Sequence, residues 1–167
     1  MGFRARYLAL SVLSTCYLLA SAQTPQDRTA IQAIVSDEQE AWNRGDAKAF
    51  SVHFAADGSF TNVVGMQTYG VAPFQKQHAY ILSTIYKGSH NEFTISKLRF
   101  IRPDVAIADV DSVLSKTVSV PPGLALWPDG ALHTKLQLVL SKENGIWQID
   151  AFHNVAAAPT QPGGHPM

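Results

Sequence analysis

Apolar residues at Ile31, Ile34, Val35, Ala41 and Trp42 recur at helical spacing with one interrupted turn. They predict a first helix from about residue 29, capped at Asp27 or Thr29 and stopped at Asn43-Arg44-Gly45. Asp46 is placed to cap a short second helix that carries Ala49, Phe50, Val52, His53 and Phe54, before Asp57-Gly58 turns the chain. Residues 59–64 alternate as a strand. Pro73 is placed to open a third helix, with Phe74, Gln77, His78, Ile81 and Ile85 three or four apart, and Gly88 ends it.

Downstream the pattern changes to period two. Segments 92–101, 105–116, 132–142 and 146–155 are rich in β-branched and aromatic residues and read as strands. "RPD" and "KENG" are short enough to close hairpins, whereas 118–130, with Pro121, Pro122 and Pro128, is a longer excursion. Helices grouped ahead of antiparallel strands predict an α+β domain, with the helices on one face of a curved sheet.

The first 22 residues follow another logic. Arg4 and Arg6, an apolar run over 7–19 and Ala20-Ser21-Ala22 have the order of a secretory signal peptide cut after Ala22. Export to the periplasm or medium is therefore expected, with Cys16 removed along with the signal. A lipoprotein signal in "LSTC", acylating Cys16, is the rival reading. No later stretch approaches the ~20 apolar residues of a membrane-spanning helix. Residues 23–28 then read as a linker, 29–157 as a single domain, and 158–167, rich in Pro and Gly, as a disordered tail. The 13 basic and 13 acidic residues balance, and no Lys/Arg cluster follows the signal, so nucleic acid is not an expected partner.

The order of elements, with "EAWNRGDAKAFSVHFAADGSFTNVVG" and the closing "WQIDAFHNV", resembles the nuclear transport factor 2-like superfamily. These cystatin-like, cone-shaped α+β domains include the SnoaL-like and ketosteroid isomerase groups, and the branch most like this chain is the SgcJ/EcaC type. The likeness spans roughly 29–159. It implies three N-terminal helices packed on a curved, mostly antiparallel sheet, a homodimer, and a pocket for a small apolar, polycyclic or aromatic molecule. Against the isomerase pattern, Asn62 falls where those enzymes carry a proton-abstracting aspartate, and Glu38 where they carry a tyrosine. An amide takes no proton at neutral pH, and an ionised Glu38 is no neutral donor, so the steroid-isomerase mechanism is not inherited. Asn62 is left as a polar hook for a ligand carbonyl or hydroxyl.

Alternation places Asn62 on one face with Phe60 and Val64. His78, on the apolar stripe of the third helix, matches the family's helix-three histidine, which implies ligand contact or acid/base work. Asp109 and Asp111 share a face with Val105, Ile107 and Val113. They form either a tuned general base, with Asp111 ahead, or a solvated edge. His153 shares a face with Trp147, Ile149 and Ala151, which puts it at the cavity mouth or in a rim or dimer contact. His133, beside Lys135 and Gln137, belongs to the polar or subunit face. Trp42, Tyr69 and Trp127 are candidate apolar walls, with Trp127 carried by the long loop as a lid.

Several signatures are missing: a cysteine ligand in the mature chain, paired His-x-x-x-His or His-x-His, a Gly-rich phosphate loop and a Gly-x-Ser-x-Gly elbow. Neither metal nor cofactor is expected. The leading expectation is an exported SnoaL-like site running acid/base isomerase, dehydratase or cyclase chemistry, with His78 and Asp111 as catalytic groups. The alternative is a non-catalytic binding or interaction module.

Overall fold

A computed structural model of the chain describes residues 24–117 and 119–158. The signal peptide, the cleavage point, Cys16 and the tail beyond 158 lie outside the described residues. No described helix is long and apolar enough to cross a membrane.

Helix α1 (Pro25–Arg44) is followed by α2 (Ala47–Phe50), β1 (Phe54–Thr61), β2 (Gln67–Tyr69) and α3 (Val71–Ser83). Strands β3 (His90–Arg102), β4 (Val105–Ser115), β5 (Leu132–Glu143) and β6 (Ile146–Ala156) complete the chain. The six strands lie in the order β2-β1-β6-β5-β4-β3, antiparallel except for the parallel β1–β6 pair. The α+β class and the three-helix arrangement agree with the periodicity.

Helix α1 starts earlier than Asp27 or Thr29 would set it. Thr24 is the cap: its Oγ1 accepts from the Asp27 amide at 3.2 Å, while Asp27 Oδ2 accepts from the Thr24 amide at 3.0 Å. Pro25 in the first turn loses no hydrogen bond there. Most of the stretch expected as a linker is thus the first helical turn. Asp27 also accepts from Lys142 Nζ at 2.7 Å and from Trp147 Nε1 at 3.0 Å, tying the helix start to β5 and β6.

The second helix is shorter than expected, because Phe54 already begins β1. Strand β2 was not visible in the pattern, since three residues are too few to show a period. The core lies between the helices and the inner face of the sheet. Phe74 is fully buried at its centre, stacked on Phe54 at 4.0 Å and edge-on to Phe60 at 5.0 Å. Burial of one such ring stabilises by about 2 to 3 kcal/mol.

Two strands change face partway along. Between Val139–Ala151 and Leu140–Ile149 the pairing skips Asp150, a bulge that adds one residue to β6. Trp147 and Ile149 face the core before it, and Phe152 after it. The same happens in β3, where Ser96 is skipped between Ile95–Val110 and Lys97–Asp109.

Candidate functional site

Helices α1 and α3, the 62–66 turn, the 119–131 loop and the inner sheet face enclose a cavity of about 550 Å³. Its walls are chiefly aromatic and aliphatic: Trp42, Phe50, Phe60, Ile81, Leu136 and Phe152 all border it. Such a volume and lining suit a small-molecule site.

His78 of α3 is set into this wall. Its ring packs against Phe74 at 4.3 Å, Phe50 at 4.6 Å and Phe60 at 5.1 Å, and meets Trp42 edge-on at 6.3 Å. Nδ1 lies 2.8 Å from the Phe74 carbonyl oxygen. A carbonyl only accepts, so Nδ1 carries the proton and the neutral ring presents Nε2 as a bare acceptor. Burial among these rings lowers the pKa to about 4, against a smaller upward pull from the Phe74 carbonyl. The imidazole is therefore neutral at physiological pH.

Asn62 borders the cavity too, but its Oδ1 is engaged in the chain's own turn. It accepts from the amides of Val64 at 3.1 Å and Met66 at 2.9 Å, while the Asn62 amide donates to the Met66 carbonyl at 2.9 Å. This Asx turn reverses the chain between β1 and β2. The amide nitrogen of the side chain remains for a ligand.

Trp42 is held in the wall by its Nε1, which donates to Ser89 Oγ at 3.1 Å. Tyr86 packs on it at 5.8 Å and borders the cavity, and burial raises its phenol above the ordinary value, so it stays a neutral donor. Along the sheet, Asn91, Ser112, Thr134 and Asn154 face the same space.

A scan against protein-family models finds no match, and neither does a search of curated proteins. Solved structures do match. An uncharacterised protein with a cystatin-like fold from Caulobacter vibrioides is 30% identical, with a TM-score of 0.68 over 80% of this chain and 92% of that one. A protein of unknown function from Shewanella oneidensis, described as nuclear transport factor 2-like, is 17% identical, TM-score 0.63, over 79% and 99%. A ketosteroid isomerase-like protein from Erwinia carotovora atroseptica is 14% identical, TM-score 0.64, over 81% and 100%.

The chain belongs to the nuclear transport factor 2-like superfamily.

Within this nuclear transport factor 2-like cone, Asn62, Phe60, Trp42 and His78 converge on the cavity, and four other expected residues do not. Asp111 lies on the outer sheet face, paired with Lys135 Nζ at 2.5 Å, and Asp109 accepts from Gln137 at 3.0 Å. These are cross-strand partners of β4 and β5, so the two carboxylates form the solvated edge and Asp111 is not beside His78. His153 is exposed on that outer face as well, because the Asp150 bulge turns it away from Trp147 and brings Asn154 inward. Tyr69 alternates with Thr68, and Thr68 is the one that faces the cavity. Trp127 stacks on His133 at 4.1 Å and 16°, outside the cavity. Its loop still reaches the cavity wall through Pro121.

Glu38 departs from expectation in the other direction. Both its carboxyl oxygens are buried without a partner, and burial, with nearby Asp37, raises its pKa well above the ordinary value. Both influences favour its uncharged form, and it sits one turn before Trp42 along α1. Among the described residues, no three His, Cys, Asp or Glu side chains come together as metal ligands would.

Proposed function

We propose that this protein is an exported, homodimeric domain that encloses a small, largely apolar molecule, with His78 as its central polar contact. The observation that carries the reading is the 550 Å³ cavity into which a neutral histidine of fixed tautomer presents Nε2. The leader pattern in residues 1–22 supports export. The outer sheet face, with its Asp111–Lys135 and Asp109–Gln137 pairs, suits a mixed polar contact between copies.

The chemistry open to such a cavity is proton transfer, as in isomerisation, dehydration or cyclisation, with Nε2 accepting a proton and the Tyr86 phenol donating one. The likeness to a ketosteroid isomerase-like structure agrees with that class. Binding without turnover is the second reading. It is favoured by the pKa of about 4, which makes His78 a weak base.

The test is extraction of protein purified from the cells that produce it. A stoichiometric small molecule should come away, and its return to the stripped protein should raise Tm. Leu136→Trp, which narrows the cavity from the sheet side, should weaken both effects. If nothing is extracted, or Leu136→Trp retains as much as wild type, the cavity is not the site. Conversion of the extracted compound by wild type but not by His78→Gln would establish catalysis.

A further inference from the structure

The inner face of the sheet carries a polar band along the cavity. Asn91 of β3, Ser112 of β4 and Thr134 of β5 are each 4% exposed, and Asn154 of β6 continues the row. Register makes them neighbours: Ser112 pairs with Thr134, while Asn154 pairs with Leu136, two residues further along β5. At one end, Ser112 Oγ donates to Asn91 Oδ1 at 2.8 Å. At the other, the Thr134 hydroxyl and the Asn154 side-chain oxygen are buried with no partner.

An unpartnered buried polar atom costs about 1 to 3 kcal/mol. Two of them, adjacent on a cavity wall, point to a group that the cavity receives. A hydroxyl satisfies both at once, since it accepts from the threonine and donates to the amide oxygen. On the opposite wall, His78 Nε2 asks for a donor.

Charge is excluded by the same wall. Lys76 is the one charged side chain bordering the cavity among the described residues, and it is exposed. A carboxylate, phosphate or ammonium drawn inside would be buried without a counter-ion. The rings of Trp42, Phe50, Phe60 and Phe152 favour a flat apolar body between the polar ends.

Resting on the small-molecule reading above, we propose that the ligand is uncharged and hydroxylated at two ends. One hydroxyl donates to His78 Nε2, and the other is held between Thr134 and Asn154.

Four probes of one shape test this by calorimetric titration: naphthalene, β-naphthol, a dihydroxynaphthalene with hydroxyls at opposite ends, and β-naphthoate. Naphthol should bind about 3- to 10-fold tighter than naphthalene, and the second hydroxyl should add a similar factor. Naphthoate should bind at least about 100-fold more weakly than naphthol. His78→Phe should erase the first increment. Thr134→Val should erase the second while leaving the Tm of the empty protein unchanged or higher, since it removes an unpartnered hydroxyl. Naphthoate binding as tightly as naphthol would overturn the proposal, as would a second increment that is absent or survives Thr134→Val. If naphthalene and the naphthols bind but without these increments, the small-molecule reading stands and this proposal falls. If none of the four binds, this proposal falls, and the small-molecule reading falls with it only if no molecule is extracted from the purified protein.

Discussion

The Nδ1 of His78 lies 2.8 Å from the carbonyl oxygen of Phe74, one helical turn earlier. That contact fixes which nitrogen carries the proton and leaves Nε2 to the cavity. Nitrogen chemical shifts of His78 should report the Nδ1–H form and hold it until the pH approaches 4. The sign for stability follows from the lowered pKa. The unfolded chain takes up the proton near 6.5 and the folded chain only near 4, so acid favours unfolding between those values. The full difference is roughly 3 kcal/mol. Denaturant titrations from pH 7 to 4 should show this loss in wild type and not in His78→Phe.

Glu38 predicts the opposite slope. Its folded pKa is raised, so the stability it allows is fully present below about 4.5 and falls as pH rises above that value. Glu38→Met replaces an unpartnered acid with an apolar side chain of similar length and should stabilise by about 1 to 3 kcal/mol at neutral pH. The gain should shrink toward pH 4, as followed by urea unfolding. A destabilised Glu38→Met would mean that the carboxyl has a partner.

Asp27 joins the start of α1 to Lys142 and Trp147. The Lys142 ammonium is the largest of the influences that hold its carboxyl below the ordinary range, with the Thr24 amide next. Its contribution is therefore present above the usual carboxylate pKa and lost only in strong acid. Asp27→Ala removes the capping box and both tertiary bonds together, at a cost of about 2 to 4 kcal/mol. Hydrogen exchange should then speed up first in the opening turns of α1.

At Asn62 the turn and the cavity make different demands, and two substitutions separate them. Asn62→Asp keeps an oxygen acceptor for the Val64 and Met66 amides and should leave Tm nearly unchanged. Asn62→Leu strands both amides and should cost about 1 to 2 kcal/mol. Equal stability of the two variants would remove the turn role.

Much of this was legible in the chain. Long periodic segments announced α1, α3 and the four long strands, and the position of His78 on the apolar stripe of α3 correctly placed it inward. What period two could not carry was a bulge. One extra residue at Asp150 reversed the remainder of β6, so His153 went out and Asn154 came in. Asp111 shows a plainer limit: alternation paired it with Asp109 but could not say which face met the helices. Trp127 misled for a related reason, since an aromatic on a long loop has no period, and here its partner is His133 on the outside. Glu38 looked like a charged group because its ionisation depends on burial, which only the packed helix reveals.

A crystal structure of the protein with β-naphthol would show directly whether the cavity takes a small molecule against His78. The probe is expected between α3 and the sheet, its oxygen about 2.7 to 3.1 Å from Nε2. A probe bound only on the outer face, or Nε2 already bonded to another side chain, would contradict this.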